Sequence, residues 1–179
     1  LNLKNLSIKQ VQNGFHQNNL ALIYQPDHFP LADRMITYRD EIGKRPTLSS
    51  MELIWTGHQG AHIIATGFVH PPTVNRHFSA MKLLGEKEII AIKGLEGGTD
   101  IPISKQSIIT KFEKGEITSL KLDPKKYELQ GNDHKLKGLD EWSEQALLAL
   151  ENQGPLKNSL IWNAANYLYL TGISDNIEA

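Results

Sequence analysis

The chain has 179 residues, a formal net charge of −1 at pH 7 and no cysteine. This charge excludes a global electrostatic attraction to nucleic acid or to an anionic membrane, and the lack of cysteine excludes disulfides, thiolate metal sites and cysteine nucleophiles. No apolar run approaches the ~20 residues that span a bilayer and no signal-peptide pattern opens the chain, so a cytoplasmic protein without a membrane partner is expected. Because the sequence starts at Leu1 and stops soon after a helical pattern, we expect it to be part of a longer protein.

The amino-terminal part of the chain alternates between helical and strand-like hydrophobic periods. Residues 6–17 have helical spacing, with Ser7 as the N-cap and Gln10 as its capping-box partner. A short apolar run at residues 20–24 is closed by a Gln-Pro step and predicts a buried strand. Residues 31–42 return to helical spacing, so this part is predicted to be helix, strand and helix.

Two further strands and a helix are predicted in the central part of the chain. Residues 61–65 form an apolar run that is stopped by glycine and a Pro-Pro step. Residues 73–84 have helical spacing, and residues 88–93 form a third apolar run. Strands that alternate with helices in this way indicate right-handed crossovers and a parallel sheet.

The pattern then changes to that of a β-hairpin. Residues 107–112 and 116–122 alternate in polarity on either side of Lys114-Gly115, a sequence that favours a tight turn. Amphipathic helices follow at residues 139–150 and 159–171. The predicted fold is a single α/β domain over the whole chain, with a largely parallel sheet flanked by helices and a β-hairpin insertion.

Residues 89–101 combine a buried apolar run with a glycine-rich loop that carries acids. In α/β proteins ligands bind at the carboxyl ends of parallel strands, where polar groups converge over a rigid apolar base. The adjacent glycines of this loop allow backbone to approach a ligand, while Glu96 and Asp100 offer carboxylates to a hydrated Mg²⁺ or a polyhydroxyl substrate. A tight turn with solvated acids is the alternative that this segment leaves open.

Six short motifs occur along the chain in a characteristic order. They are Phe29-Pro30, residues 39–45 (Arg-Asp-Glu-Ile-Gly-Lys-Arg), residues 67–71 (Gly-Phe-Val-His-Pro), residues 93–100 (Lys-Gly-Leu-Glu-Gly-Gly-Thr-Asp), residues 122–124 (Leu-Asp-Pro) and residues 162–165 (Trp-Asn-Ala-Ala). Together they resemble the larger α/β domain of the anthranilate phosphoribosyltransferase family, also called glycosyltransferase family 3. The resemblance covers nearly the whole chain and implies a fold of the nucleoside phosphorylase/phosphoribosyltransferase C-terminal domain type.

The resemblance also implies a function and partners. Members of this family carry a small N-terminal helical domain, absent from this chain, and bind phosphoribosyl pyrophosphate (PRPP) and Mg²⁺ between the two domains. They transfer the phosphoribosyl group to a small aromatic or nitrogenous acceptor, by default anthranilate in tryptophan biosynthesis. They are often homodimers through the helical domain. Because positioning and charge neutralisation supply most of the rate in such chemistry, this chain without the upstream phosphate-binding loop is expected to be inactive alone.

Substrate-binding residues are implied by matching positions, and no side chain is assigned a catalytic role. Arg39 matches a family arginine that contacts the aromatic acid, and a guanidinium suits a carboxylate because it forms two parallel hydrogen bonds with it. A solvated helix arginine is the alternative for Arg39, and Arg45 is interpreted as structural. Lys93 and Gly94 stand where the family has His-Gly, and His70 either faces substrate or stabilises a turn.

The metal site implied by the resemblance is incomplete. The family pattern His-Gly-x-Asp-Gly-Leu-Asp-Glu ends in an adjacent Asp-Glu pair that binds Mg²⁺ on the pyrophosphate. Here Thr99 replaces the first acid and Asp100, a shorter carboxylate, replaces the second, with Glu96 as a further candidate ligand. One carboxylate and a hydroxyl hold Mg²⁺ through waters with less charge compensation, so a weakened Mg²⁺ site is predicted.

Two alternatives to an active transferase remain open from the sequence. A divergent paralogous branch of the family fits this loop better, because its members have a Gly-x-Glu-Gly loop and a His-Pro step like those here. The chain is therefore predicted to be closer to this branch, some of whose members bind nucleic acid instead. Residues 76–126 contain ten basic and seven acidic side chains, a surplus that supports only salt-sensitive contact with single-stranded nucleic acid, or is an ordinary surface. The other alternative is an interaction remnant with neither activity.

Overall fold

The structure is a computed structural model that describes residues 5–43, 51–135 and 137–178. The chain divides into two compact units, Leu1–Glu52 and Leu53–Ala179. The first contains short helices among its described residues, whereas the second contains a sheet with helices packed against it. None of the described helices is long and apolar enough to cross a membrane.

The described part of the first unit is helical. Its helices are α1 (Ile8–Asn18), α2 (Gln25–His28), α3 (Pro30–Asp33) and α4 (Met35–Ile42). The predicted capping box at the start of α1 is confirmed, because the Ser7 side chain accepts from the Gln10 backbone and the Gln10 side chain accepts from the Ser7 backbone. Helix α4 ends at Gly43 in a left-handed conformation, which glycine adopts without steric cost.

The strand predicted at residues 20–24 is wrong. This segment has no strand pairing, and its Leu20 and Ile23 side chains are 68% and 45% exposed. The reason is that the following residues favour a helix. Pro26 lacks a backbone N–H and suits the first turn of a helix, so α2 begins directly after Tyr24. The Tyr24 carbonyl accepts from the His28 N–H at 3.0 Å and closes this turn.

The second unit contains a mixed four-stranded sheet. Its strands are β1 (Ile64–Gly67), β2 (Glu88–Ile92), β3 (Ser107–Glu113) and β4 (Glu116–Leu122), in the order β1-β2-β3-β4. The pair β1/β2 is parallel, whereas β2/β3 and β3/β4 are antiparallel. The predicted α/β class and the hairpin are confirmed, but parallel pairing is limited to β1/β2, because a helix connects only this pair of neighbouring strands.

The hairpin turn follows from its sequence. Lys114 and Gly115 both have positive φ values, +52° and +88°. Two successive left-handed residues form the turn whose twist matches that of paired antiparallel strands, and glycine at the second position makes it inexpensive. The hairpin therefore adds two strands to the sheet, on the side of β2 that faces away from β1.

Helices cover both faces of the sheet. Helix α5 (Pro71–Leu83) connects β1 to β2, and helices α6 (Leu139–Leu150) and α7 (Lys157–Leu170) follow the hairpin. One apolar cluster joins α5 to Ile89 and Ala91 of β2, and the other joins α7 to Ile90 and Ile92 on the opposite face. Strand β2 is consequently buried on both sides, which explains its continuous apolar sequence.

A histidine–carboxylate pair joins the segments that precede the two parallel strands. His62 precedes β1 and Glu86 precedes β2, so the pair lies at the amino-terminal edge of this strand pair. The His62 Nδ1 lies 2.7 Å from the Gly60 carbonyl, and its Nε2 lies 2.7 Å from a Glu86 carboxylate oxygen. A neutral imidazole carries one N–H, so two acceptors favour the protonated ring. The Gly60 hydrogen bond raises the pKa of His62, and Glu86 adds to this, while burial lowers it.

We expect Glu86→Gln to destabilise the protein most at mildly acidic pH. A histidine whose folded pKa is raised above its ordinary 6.5 contributes stability that is present below 6.5 and is lost as pH rises through the folded pKa. Chemical denaturation at about pH 6 and about pH 8.5 measures the difference in unfolding free energy between variant and wild type. The control is Glu144→Gln, an exposed acid on α6. An equal loss at both pH values for Glu86→Gln would contradict the linkage.

Candidate functional site

The segments that follow β1 and β2 leave the sheet at the same edge. The two strands are parallel and in register at their ends, with Gly67 opposite Ile92. The ladder continues by one bond, from the Phe68 N–H to the Ile92 carbonyl at 3.0 Å. Residues 68–70 and residues 93–100 therefore emerge side by side at the carboxyl edge, where α/β folds bind ligands.

The loop of residues 93–100 is held in a compact shape by its own backbone. The Leu95 N–H donates to the Asp100 carbonyl at 2.9 Å, and the Gly98 N–H donates to the Leu95 carbonyl at 2.8 Å. Glu96 and Gly97 form a left-handed turn, with φ values of +51° and +82°. The bend closes the loop on itself and leaves the Glu96 side chain exposed.

Glycine allows the two segments at this edge to touch through their backbones. A Cβ atom on Gly67 would overlap the carbonyl oxygens of Gly97 and Gly98, so no larger residue fits between β1 and the loop. A Cβ on Gly97 would lie 2.6 Å from the Val69 Cγ2 atom. Gly67 is therefore required by close packing against the loop backbone, and Gly97 is favoured by its positive φ value.

Side chains of helix α7 form hydrogen bonds with the backbone at the end of the loop. The Tyr167 hydroxyl donates to the Thr99 carbonyl at 2.8 Å. The Asn163 side chain accepts from the Ile101 N–H at 2.8 Å and donates to the Ile101 carbonyl at 3.1 Å. Residues 99 and 101 are thus both bound to one helix, and Asp100 lies between them.

The next residues of the segment are fixed by a second side chain. One carboxylate oxygen of Asp133 accepts from the Ile103 N–H at 2.9 Å and from the Ser104 N–H at 3.3 Å, and the other accepts from the Ser104 hydroxyl. Ile101 and Ile103 are 0% and 3% exposed and belong to the apolar cluster beneath α7. The loop therefore leads into a buried, fully anchored segment.

The predicted residues of the loop present their side chains at this edge. Lys93, Glu96 and Asp100 are exposed, whereas Gly94 and Thr99 are partly buried. Lys93 is fixed through its backbone, because its N–H donates to the Ile108 carbonyl at 3.0 Å and its carbonyl accepts from a serine hydroxyl of β3. The structure thus places one cationic and two anionic exposed side chains on the same short loop, whose backbone is well held.

His70 lies in the neighbouring segment at the same edge. It is the N-cap residue of α5, it is exposed, and its side chain makes no capping hydrogen bond. Its backbone carbonyl, and not its ring, closes the first turn by accepting from the Thr73 N–H at 2.9 Å. The stabilisation of the turn therefore leaves the imidazole available to a ligand.

Arg39 belongs to α4 in the Leu1–Glu52 unit. Its Nε atom lies 3.8 Å from an Asp40 carboxylate oxygen, and its side chain is 35% exposed. A pair of this length between partly exposed neighbours contributes little to stability and does not immobilise the guanidinium. Arg45, interpreted as structural from the sequence, lies outside the described residues.

The donor atoms around Asp100 suit only a lightly coordinated metal. The described residues contain no group of three or more histidines and acids that could hold a metal ion. The carbonyls of Thr99 and Asp100 are already engaged by Tyr167 and Leu95, which leaves the Asp100 and Glu96 carboxylates and the Thr99 hydroxyl. Such a set fits Mg²⁺, which keeps several waters and is bound by one or two carboxylates together with substrate phosphates.

The charge of Asp100 affects the pKa of Tyr167 in helix α7. Burial raises the pKa of Tyr167 above its ordinary value, the hydrogen bond to the Thr99 carbonyl lowers it, and the negative charge of Asp100 raises it further. The phenol therefore stays protonated and remains a donor to the loop at neutral pH.

Three supporting residues were not identified as such from the sequence. Asn163 lies in the Trp-Asn-Ala-Ala motif that contributes to the family resemblance, so the motif itself is a signal for this residue. Tyr167 and Asp133 carry no local signal, because each contacts a backbone group far away in the sequence.

A family model described as the α/β domain of a glycosyl transferase family matches residues 1–179. The chain belongs to this family, which confirms the resemblance of its motifs.

Curated relatives of the chain are named anthranilate phosphoribosyltransferase. The protein from Ralstonia pickettii is 26% identical over 176 residues, which cover 96% of this chain and 51% of the relative. The protein from Cupriavidus necator is 24% identical over 177 residues, which cover 97% of this chain and 52% of the relative. The chain thus spans about half the length of the curated relatives that it matches.

Solved structures share the fold. A magnesium-bound serine-to-alanine variant of anthranilate phosphoribosyltransferase from Saccharomyces cerevisiae matches with a TM-score of 0.77 at 13% identity, over 98% of this chain and 52% of that one. The same yeast enzyme in complex with 4-fluoroanthranilate matches with a TM-score of 0.74, also at 13% identity. At this identity the likeness shows that the α/β fold is the same.

We expect Gly67→Ala to destabilise the protein by about 1–3 kcal/mol, because the added methyl group overpacks the contact between β1 and the loop. The control is Gly138→Ala, at a position with extended backbone and no atom within 4 Å of the added Cβ. Urea denaturation of both variants measures the change in unfolding free energy. Equal stability of the two variants would contradict the tight backbone contact.

Proposed function

We propose that this chain is the α/β part of a phosphoribosyltransferase that transfers the phosphoribosyl group of PRPP to an aromatic acid of the anthranilate type. The observation that carries the proposal is the loop of residues 93–100, which presents exposed charges on a rigid base at the carboxyl edge of the parallel strands. Family membership and relatives named anthranilate phosphoribosyltransferase support the reaction class.

The residues of this edge suit a pyrophosphate ester. Lys93 supplies a point charge for phosphate oxygens. Gly94 has a structural role beside it, because a Cβ at this position would overlap the Gly98 carbonyl oxygen of the same loop. The exposed imidazole of His70 offers a further hydrogen bond from the neighbouring segment. Chemistry at the ribose anomeric carbon needs orientation and charge stabilisation more than a covalent partner, so residues that hold the pyrophosphate are sufficient to explain this half of the site.

Mg²⁺ would be held by Asp100, with Glu96 and Thr99 as further donors. When bound, it supplies positive charge that offsets the developing charge of the leaving pyrophosphate. Asp100 is best suited to this role, because the backbone on both sides of it is fixed by α7. The helical domain implied by the family resemblance, and a homodimer formed through it, belong to the same proposal.

The nucleic-acid-binding alternative has less support. Neither the family model nor the relatives described above favours it, and the assignment to the divergent paralogous branch stays a prediction from the loop sequence. Glu96 and Asp100 are exposed acids of the same loop as Lys93, and they would repel a phosphate backbone unless a cation intervened.

Asp100→Asn tests the proposal in the natural full-length protein. We expect wild type to bind PRPP in the presence of Mg²⁺, and the variant to bind it about tenfold more weakly. The reason is that the charged carboxylate that would bind Mg²⁺ is replaced by a neutral amide. Calorimetric titration with Mg²⁺ and with a chelator measures both affinities. The matched control is Asp140→Asn, an exposed acid in the first turn of α6.

Each result has a distinct meaning. No PRPP binding by folded wild type would overturn the proposed function, and salt-sensitive binding of single-stranded DNA by the same sample would favour the alternative. PRPP binding that is unchanged in Asp100→Asn would overturn only the metal role of Asp100.

Arg39→Lys separates the acceptor from PRPP. Lysine keeps the charge but cannot form two parallel hydrogen bonds to a carboxylate, so we expect the KM for the aromatic acid to rise about tenfold while the KM for PRPP is unchanged. Steady-state kinetics of the full-length protein measure both constants. The control is Arg34→Lys, an exposed arginine between α3 and α4. Equal changes in the two KM values, or none, would contradict an acceptor role for Arg39.

A further inference from the structure

We propose that Tyr167 and Asn163 of α7 are positioning residues that hold Asp100 in the geometry required for PRPP binding. This inference rests on the proposed function, and it adds two residues to which neither the motifs nor the named relatives assign such a role.

The Tyr167 contact fixes the residue before Asp100. The Tyr167 hydroxyl donates to the Thr99 carbonyl at 2.8 Å, across 68 positions of sequence. The hydroxyl is the only polar atom of this side chain, so replacement by phenylalanine removes the hydrogen bond and keeps the ring. The Tyr167→Phe variant therefore tests the hydrogen bond to the loop without removing the packing of the ring.

The Asn163 contact fixes the residue after Asp100. Its amide oxygen and nitrogen pair with the N–H and carbonyl of Ile101 at 2.8 Å and 3.1 Å, as a neighbouring strand would. The nitrogen also donates to the Ser159 carbonyl one turn earlier in the same helix, at 2.9 Å. This third bond holds the amide in one orientation, so the side chain is set before it meets the loop.

The helix that carries both residues is itself anchored. Trp162 and Leu170 of α7 are 0% and 2% exposed and pack in one apolar cluster with Ile101. Asn163 is next to Trp162 in the helix, and Tyr167 is four residues further on, so both polar side chains project from the same held segment toward the loop. Asp100 alone remains exposed between two fixed neighbours.

The electrostatic coupling agrees with this geometry. The charge of Asp100 raises the pKa of the Tyr167 phenol, in keeping with the hydrogen bond from this phenol to the carbonyl of the preceding residue, Thr99. A loop released from Tyr167 or Asn163 would let the carboxylate occupy many positions, and the cost of ordering it again would weaken ligand binding. Flexibility of the loop and affinity for PRPP are therefore expected to change together.

The test compares Tyr167→Phe and Asn163→Asp with wild type in the full-length protein. Asn163→Asp keeps the acceptor for the Ile101 N–H but loses the donor to the Ile101 carbonyl. Hydrogen exchange of a peptide covering residues 93–101 reports on the loop, since its Leu95 and Ile101 amides are bonded in the folded state. We expect faster exchange of this peptide and about tenfold weaker Mg²⁺-dependent PRPP binding in both variants.

Two controls on the same helix separate positioning from general stability. Tyr169→Phe removes the hydroxyl of a tyrosine that is 37% exposed, and it should change neither exchange nor affinity. Asn166→Ala removes a fully buried amide that donates to the Trp162 carbonyl within the helix, and it should lower the melting temperature without specific loosening of the loop.

The outcomes decide the inference as follows. Faster exchange with weaker PRPP binding in Tyr167→Phe and Asn163→Asp, and in neither control, supports it. Unchanged exchange, or faster exchange with unchanged PRPP affinity, overturns it while the proposed function stands. No PRPP binding by wild type overturns the proposed function, and a positioning role for PRPP with it.

Discussion

The pairing of the Asn163 amide with the backbone of Ile101 is the constraint on which the candidate site depends. Ile101 is fully buried but lies outside any strand, and a buried backbone group without a partner costs about 1–3 kcal/mol. Asn163 supplies both a donor and an acceptor, so the chain can leave the sheet, bury an apolar side chain and still have its backbone satisfied. Tyr167 and Asp133 likewise provide hydrogen-bond partners for nearby backbone groups, the carbonyl of Thr99 and the N–H of Ile103.

This anchoring gives the loop a rigid backbone and leaves its charged side chains exposed. Backbone contacts to Gly67 and to α7 fix the base, while the side chains of Lys93, Glu96 and Asp100 stay exposed. For the highly charged substrate that we propose, this arrangement would be an advantage, because a fixed loop backbone needs little reorganisation when a ligand binds. The amino-terminal edge of the same strand pair carries a histidine–carboxylate contact instead, so the two edges differ in chemistry as well as in shape.

Features with local causes were predicted correctly from the sequence. The capping box of α1 needs only Ser7 and Gln10 three residues apart, and the hairpin needs only a turn sequence between two alternating runs. The position of the glycine-rich loop after a buried strand was also readable, because an apolar run that ends in glycine marks the strand end. The strand at residues 20–24 failed for the same kind of reason: its apolar run resembled a strand, but the proline that follows starts a helix, and no neighbouring strand pairs with it.

The sequence by itself determined the family, the α/β class, the hairpin and the residues of the candidate loop, because each depends on neighbouring residues or on the order of short motifs. Only the tertiary structure decided that the sheet is mixed, that Gly67 touches the loop through backbone, and that Asn163 and Tyr167 hold the segment around Asp100. These contacts join residues that are tens of positions apart, and their geometry depends on how α7 packs against the sheet. No local pattern encodes such a distance, so the support of the site became visible only when the chain was folded.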